Sequence, residues 1–183
     1  MLQADPRLIV ALDKPTVSDA WALIEALGDT VNFYKIGLQL IPIGGMELST
    51  RLKQAGKQVF LDYKLHDIPA TVEKATRSLA DLVMRRVEQS LEAGVDGIVA
   101  SAHEAAEIRQ KFGGDFLIVT PGIRPAGAAA DDQKRVATPG SALHDGSTHL
   151  VVGRPINAAT DPSAAARAII AEMAATSPKP VTV

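Results

Sequence analysis

The stretch Phe60–Ile68, FLDYKLHDI, joins an apolar run to closely spaced charges of both signs. Residues 57–64, KQVFLDYK, predict a buried strand, and side chains alternate along a strand. Asp62 and Lys64 are therefore expected to point to one face of the sheet, with Tyr63 on the other. Asp67 follows where the chain turns toward a helix. The pattern predicts a strand that ends in an alternating row of carboxylates and ammonium groups.

Apolar runs alternate with longer helical patterns along the whole chain. Six runs predict strands, at residues 8–13, 31–37, 57–64, 95–101, 115–122 and 148–153. Ser18 and Gly28 are the expected N-cap and C-cap of the first helix, and Asp161 is the expected N-cap of the last. Continuous apolar strands separated by helices are typical of a parallel sheet covered by helices.

Two architectures fit this alternation, an open doubly wound sheet and a closed (β/α)8 barrel. No G-x-G-x-x-G motif follows the first strand, which argues against a dinucleotide-binding sheet. The helical pattern at residues 70–94 is about twice the usual helix length. It predicts either one continuous helix or two helices joined where a segment is missing.

Composition excludes several classes of function. The 183 residues suffice for one domain, 1–183, and the net charge of -2 gives no general attraction to nucleic acid or anionic membranes. The chain has no cysteine, which excludes disulfides, thiolate nucleophiles and cysteine-based zinc sites. We expect neither a membrane span nor a signal peptide, and the absence of cysteine agrees with a cytoplasmic protein.

Charged residues, together with a threonine, a proline and glycines, collect at the C-terminal ends of the predicted strands. These residues are Asp13, Lys35, Asp62, Lys64, Thr120, Pro121, Gly122, Gly153 and Arg154. Active sites of α/β proteins lie at this edge. Lys35 can join Asp62, Lys64 and Asp67 in one row, in which opposite charges keep one another ionised. Such a row suits carbanion chemistry, in which carbon dioxide leaves and a lysine protonates the carbon.

Two further segments predict a phosphate site. Gly153–Pro155, GRP, offers backbone N–H groups and a guanidinium that can hold a phosphate dianion. Residues 121–140 form a long loop that contains Arg124 and Gln133. This loop could close over a bound phosphate and exclude water, although an ordinary flexible loop is an equally good interpretation.

Several motifs together resemble one known family. They are VALDKP (10–15), FYKIGLQL (33–40), FLDYKLHDIPATV (60–72), VTPGIRPAGAAADDQKR (119–135) and HLVVGRPI (149–156). In combination they resemble the orotidine 5'-phosphate decarboxylase family. The resemblance implies a (β/α)8 TIM barrel, usually a homodimer with active sites shared between subunits. It also implies conversion of orotidine monophosphate (OMP) to uridine monophosphate (UMP) in pyrimidine biosynthesis, without metal or cofactor.

The resemblance also implies roles for individual residues. Lys64 would protonate C6 of the pyrimidine, and Asp62 would lie beside the substrate carboxylate. Lys35 would contact the ribose and order the charge row, whereas Asp67 and Thr71 would reach into the partner subunit's site. The implied substrate-binding residues also include Asp13, Pro121, Arg124, Gln133, Gly153 and Arg154.

The chain departs from the family in one respect. A complete barrel has eight strands, but the sequence predicts six, so a β-α-β block containing strands 4 and 5 is missing. The long helical pattern predicts a seam near residues 78–82, and strand-end Ser/Thr contacts to the pyrimidine would be lost with the block. Three explanations stay open: residues absent from the sequence as printed, a deliberate deletion, or a natural variant with a rebuilt barrel.

Two other functions remain compatible with the sequence. One is a magnesium-dependent sugar-phosphate decarboxylase or aldolase of the same barrel superfamily. The other is an inactive, truncated nucleotide binder.

Overall fold

The computed structural model describes residues 4–62, 76–125 and 137–176, without the side chains of 76–82. The strands are β1 (Leu8–Ala11), β2 (Phe33–Gly37), β3 (Gln58–Asp62), β4 (Gly97–Val99), β5 (Leu117–Thr120) and β6 (His149–Val152). The helices are α1 (Val17–Leu27), α2 (Gly45–Gln54), α3 (Thr76–Glu92), α4 (Ala102–Phe112), α5 (Pro139–His144), α6 (Arg154–Asn157) and α7 (Pro162–Ala174). Short 3-10 turns lie at Gly28–Thr30 and Ile41–Ile43.

The six strands form one parallel sheet in the order β3-β2-β1-β6-β5-β4. The first and last strands are neighbours, with Ile9 opposite Val151 and Val10 opposite Val152. A barrel wall has this order, because its last strand returns beside its first. β3 and β4 form the two edges, and they do not pair in the described part of the chain. The prediction of a (β/α) barrel that lacks two strands is therefore confirmed.

Alternating side chains give the sheet two different faces. On the outer face, Val10, Tyr34 and Leu150 are fully buried in a large core formed with helices α1, α2 and α7. Each fully buried side chain of this size stabilises the fold by about 1.5–3 kcal/mol. On the inner face, a separate small cluster contains Ile9 and Val151. The outer core thus holds the strands in register, while the inner face remains available for a site.

The inner face is open near the edge strand β4. Val99 and Leu117 are 60% and 39% exposed, whereas Ile98 and Ile118, which alternate with them, pack against α3 and α4. In a closed barrel, side chains from neighbouring strands would fill the space over this edge. The exposure of Val99 and Leu117 follows from the missing wall.

The helix ends agree with the sequence except at one position. Asp161 caps α7, since its Oδ1 accepts a hydrogen bond from Ala164 N at 2.9 Å, and Gly28 ends α1 with φ +51°. The prediction that Ser18 caps α1 is wrong. Thr16 has the extended backbone of an N-cap, and its Oγ1 accepts a hydrogen bond from Asp19 N at 3.1 Å. Residues 70–75 of the long helical pattern lie outside the described residues.

His149 gives the fold a predictable dependence on pH. Burial lowers the pKa of His149, although the nearby Asp5 carboxylate opposes the shift. Its ring packs edge-on against Phe33, with the ring centroids 6.0 Å apart. The unfolded state therefore binds more protons than the folded state just below the ordinary histidine pKa of about 6.5. We expect this contribution to lower the free energy of unfolding as the pH falls from 7.5 to 5.5.

Urea unfolding of the wild type and a His149→Gln variant at both pH values measures this effect. We expect the variant to lose less stability on acidification than the wild type. His103 is exposed on α4, and a His103→Gln control should keep the wild-type dependence. An equal pH dependence in all three proteins would contradict the prediction.

Candidate active site

A cluster of charges lies at the C-terminal ends of three adjacent strands. Lys35 Nζ is 3.2 Å from Asp62 Oδ2 and 3.6 Å from Asp13 Oδ1. The register explains this arrangement, because Ala11 lies opposite Lys35 and Gly37 lies opposite Asp62. The structure thus brings together three of the predicted site residues from β1, β2 and β3.

The lysine of this cluster is more enclosed than its partners. The side chain of Lys35 is 13% exposed, whereas those of Asp62 and Asp13 are 24% and 52% exposed. Gly37 leaves room for the ammonium group, since a Cβ at this position would lie 3.2 Å from Lys35 Nζ. The two carboxylates therefore hold the ammonium group in place from opposite sides, on the inner face of the sheet.

A cavity of about 500 Å³ opens at this edge of the sheet. It is lined by Ala11, Asp13, Lys35, Phe60, Asp62, Val99, Pro121, Gly122, Arg124, Val151, Gly153 and Arg154. Its size is within the range of small-molecule sites. Apolar side chains from the strands share the lining with the carboxylates of Asp13 and Asp62, the ammonium group of Lys35 and two guanidinium groups. The cavity can therefore hold a ligand with an aromatic body and a negatively charged end.

The apolar side chains that the strands contribute to the lining were not among the predicted site residues, although Pro121 was. Phe60 lies two positions before Asp62, so strand alternation places both side chains on the same face. Val151 likewise alternates with Val152 of the outer core. This period-2 signal was present in the sequence. Nothing in the sequence, however, indicated that Val99 would line the cavity.

Arg124 is a buried cation at the cavity. It is 5% exposed, and its Nη1 donates a hydrogen bond to the carbonyl of Ile123 at 3.0 Å. No carboxylate lies within ion-pair distance of it among the described residues. A buried charge is costly unless it is paired, and a bound anion would supply a counter-charge that the described residues do not provide.

The end of β6 lies close to the end of β1. Gly153 precedes α6, and a Cβ at Gly153 would lie 3.4 Å from Asp13 Oδ2. Arg154, the first residue of α6, is exposed and lines the cavity. The GRP segment thus begins beside Asp13 of the charge cluster.

Four predicted site residues lie outside the described residues. They are Lys64, Asp67, Thr71 and Gln133. On either side of the range 126–136, Ile123 and Ala137 form a β-bridge, and Arg124 N donates a hydrogen bond to Ala137 O at 3.0 Å. Within the described ranges, no three His, Asp or Glu side chains group as metal ligands, and no helix has the length and apolarity to cross a membrane.

Comparisons with known proteins agree with the fold. The model of the "Orotidine 5'-phosphate decarboxylase / HUMPS family" matches residues 6–84 and 76–169. A relative from Caulobacter sp. (strain K31), named orotidine 5'-phosphate decarboxylase, is 44% identical over 227 positions that cover 94% of this chain and 99% of the relative. One from Caulobacter vibrioides (strain NA1000 / CB15N), with the same name, is 46% identical over 231 positions, with the same coverage of each.

A solved structure of a protein with the same name is also similar to this chain. The crystal structure of orotidine 5'-phosphate decarboxylase from Lactobacillus acidophilus matches with a TM-score of 0.77 and 28% identity, covering 93% of this chain and all of that one. The 227 positions aligned with the first relative exceed the 183 residues of this chain, so that relative contains a stretch that this chain lacks. The chain belongs to the orotidine 5'-phosphate decarboxylase / HUMPS family.

Proposed function

We propose that this protein is an orotidine 5'-phosphate decarboxylase, a carboxy-lyase that converts OMP to UMP and carbon dioxide in pyrimidine biosynthesis. The observation that carries the proposal is the position of Lys35, between Asp13 and Asp62 in a cavity that also contains two guanidinium groups. Membership of the family and the names of its relatives support the same activity.

The charge cluster suits the departure of carbon dioxide. Asp62 would lie against the carboxylate of the substrate, where like charges repel and favour the loss of that group. The bond from C6 to the carboxylate breaks, the electron pair stays on C6, and carbon dioxide leaves. Lys64 would then donate a proton to C6 and recover it from solvent. Lys35 would hold both aspartates in place and contact the ribose.

The two arginines of the cavity lining suit the phosphate group. Arg154 and Arg124 present positive charge, and Gly153 allows close approach of the backbone. Charge-assisted hydrogen bonds from guanidinium to phosphate are among the stronger polar contacts in proteins. Gln133 would bridge the pyrimidine and the phosphate, and Pro121 would line the site beside the base.

We also propose that two copies of the chain associate, with Asp67 and Thr71 contributing to the partner subunit's site. Leu38, Ile43 and Met46, in and just after the β2–α2 connection, are 46%, 52% and 44% exposed. Apolar side chains of this size are often covered at protein interfaces when they lie together on a surface. These three follow the C-terminal end of β2, which is the edge of the sheet where the cavity opens, as a shared site requires. The absence of cysteine supports a cytoplasmic location.

We propose, further, that the domain 1–183 contains a seam near residues 78–82. The two matches to the family model overlap at residues 76–84, inside α3, which connects the edge strands β3 and β4. The intact mass of the protein tests this proposal. A mass of 19.3 kDa is expected if α3 joins the two halves directly, and a mass several kDa higher would place further residues between them.

An assay of OMP consumption by the purified protein, with and without EDTA, tests the function. We expect UMP to form at the same rate in both conditions. Activity that is lost in EDTA and restored by magnesium would instead support a sugar-phosphate enzyme of the superfamily. Binding of UMP without turnover of OMP would show a nucleotide binder and overturn the proposed enzyme.

A further inference from the structure

The hydrogen-bond ladder between β1 and β6 is completed by a side chain. Leu150 N donates to Arg7 O at 2.8 Å, and the paired register ends at Val10 and Val152. In a parallel ladder the donors recur at every second residue. After Leu150 and Val152, the next N–H in the series is that of Arg154, and its acceptor would be the carbonyl of Ala11. Arg154 begins α6 instead, and Asn157 Nδ2 donates to Ala11 O at 2.9 Å.

A second hydrogen bond joins the same two segments. Lys14 Nζ donates to the backbone carbonyl of Asn157 at 3.0 Å. Lys14 follows Asp13, and Asn157 is the last residue of the short helix that begins at Arg154. The two bonds therefore tie the segment that carries Asp13 to the helix that carries Arg154, across separations of 143 and 146 residues.

The hydrogen bond to the carbonyl of Ala11 requires a donor in the side chain at position 157. The side-chain amide must turn its Nδ2 toward the carbonyl of Ala11, because Oδ1 in that place would set two acceptors against each other. Asn157 Oδ1 is buried and has no hydrogen-bond partner among the described residues. An unsatisfied buried acceptor is costly, so stability alone does not explain an asparagine here. Fixing the place of α6 does explain it.

We propose that Asn157, together with Lys14, is a positioning residue for phosphate recognition. It holds α6, and hence Arg154, at a fixed distance from Asp13. Arg154 and Asp13 can then bind the two ends of one nucleotide at the same time. This inference rests on the proposed function, because it assigns the phosphate to Arg154. Neither residue needs to touch the substrate.

Steady-state kinetics with OMP and calorimetric titration with UMP test the proposal on the intact chain. The variants are Asn157→Asp, which keeps the shape but removes the donor, and Lys14→Met, which removes the second bond without altering the core. We expect each to raise KM for OMP and Kd for UMP by about tenfold, the loss expected for one hydrogen bond, with kcat nearly unchanged. Arg154→Ala should give a larger rise and serves as the reference.

A Lys53→Met variant provides the control, because Lys53 is exposed on α2. It should leave KM, kcat and Kd unchanged. If both Asn157→Asp and Lys14→Met bind UMP like the wild type, the positioning role is overturned while the proposed function stands. A lower kcat with unchanged KM would show loss of folded protein rather than of positioning, and also overturns it. A wild type that does not bind UMP would overturn the proposed function and this inference together.

Discussion

A Lys64→Ala variant is expected to abolish decarboxylation, lowering kcat by about 10⁴-fold, the upper range for loss of a general acid. Lys64 lies outside the described residues, two positions beyond Asp62 in sequence. Asp62 is in turn 3.2 Å from the ammonium group of Lys35. Because side chains alternate along an extended chain, the ammonium group of Lys64 is expected on the same side as the Asp62 carboxylate. In the proposed mechanism Lys64 is the acid that protonates C6, so its removal should stop that step.

The measurement is single-turnover conversion of OMP, together with urea unfolding and titration with UMP. We expect the free energy of unfolding and UMP binding to change little. Lys53→Ala, which removes an exposed lysine of α2, should keep full activity. Turnover that persists in Lys64→Ala samples shown by mass spectrometry to be free of wild type would refute the role of Lys64.

A Lys35→Met variant is expected to have the second largest effect, a fall in kcat/KM of about 10²–10³-fold. Lys35 is the cation shared by Asp13 and Asp62, at 3.6 and 3.2 Å. Methionine has a similar length but no charge, so the two carboxylates would face the cavity without their counter-ion. The carboxylate of OMP would then enter a site with excess negative charge, which would weaken the binding of OMP and lower kcat.

Lys57 provides a matched control within the same fold. Its side chain is 14% exposed, close to the 13% of Lys35, and its Nζ is 3.3 Å from Asp29 Oδ1. Lys57 lies just before β3, however, at the opposite end of the strand from Asp62. Lys57→Met should therefore lower the urea midpoint but leave kcat/KM unchanged. An equal loss of activity in both variants would show that Lys35 acts only through stability.

Local patterns in the sequence predicted the elements of the fold. The apolar runs and the helical patterns between them gave the six parallel strands, and the strand ends gave the edge at which Lys35 and Asp62 meet. The choice of a barrel over an open doubly wound sheet came from the family resemblance. The prediction that Ser18 caps α1 was wrong because Thr16, two residues earlier, can also accept a hydrogen bond from the first turn of the helix. The choice between them depends on the extended backbone at Thr16, which residue type alone does not determine.

Contacts between distant segments could not be predicted from local patterns. The hydrogen bond from Asn157 to Ala11 depends on where β6 ends and α6 begins. No residue spacing in the sequence predicts that these two segments come into contact. The burial of Arg124 likewise depends on the bridge between Ile123 and Ala137. Motif resemblance located Arg124 near the site, but only packing shows that it lacks a protein counter-charge among the described residues.

Within the described residues, β3 and β4 each pair with a neighbour on one side only, and this has a mechanical consequence. In a complete ring every strand pairs on both sides, whereas in the described part of this chain the strand pairing between the two arms of the wall, β1-β2-β3 and β6-β5-β4, runs through β1 and β6 alone. One arm carries Lys35 and Asp62, and the other carries Arg124. A nucleotide that contacts both arms would link them across the gap between β3 and β4. Ligand binding should therefore stiffen this protein more than it stiffens a relative whose ring is closed.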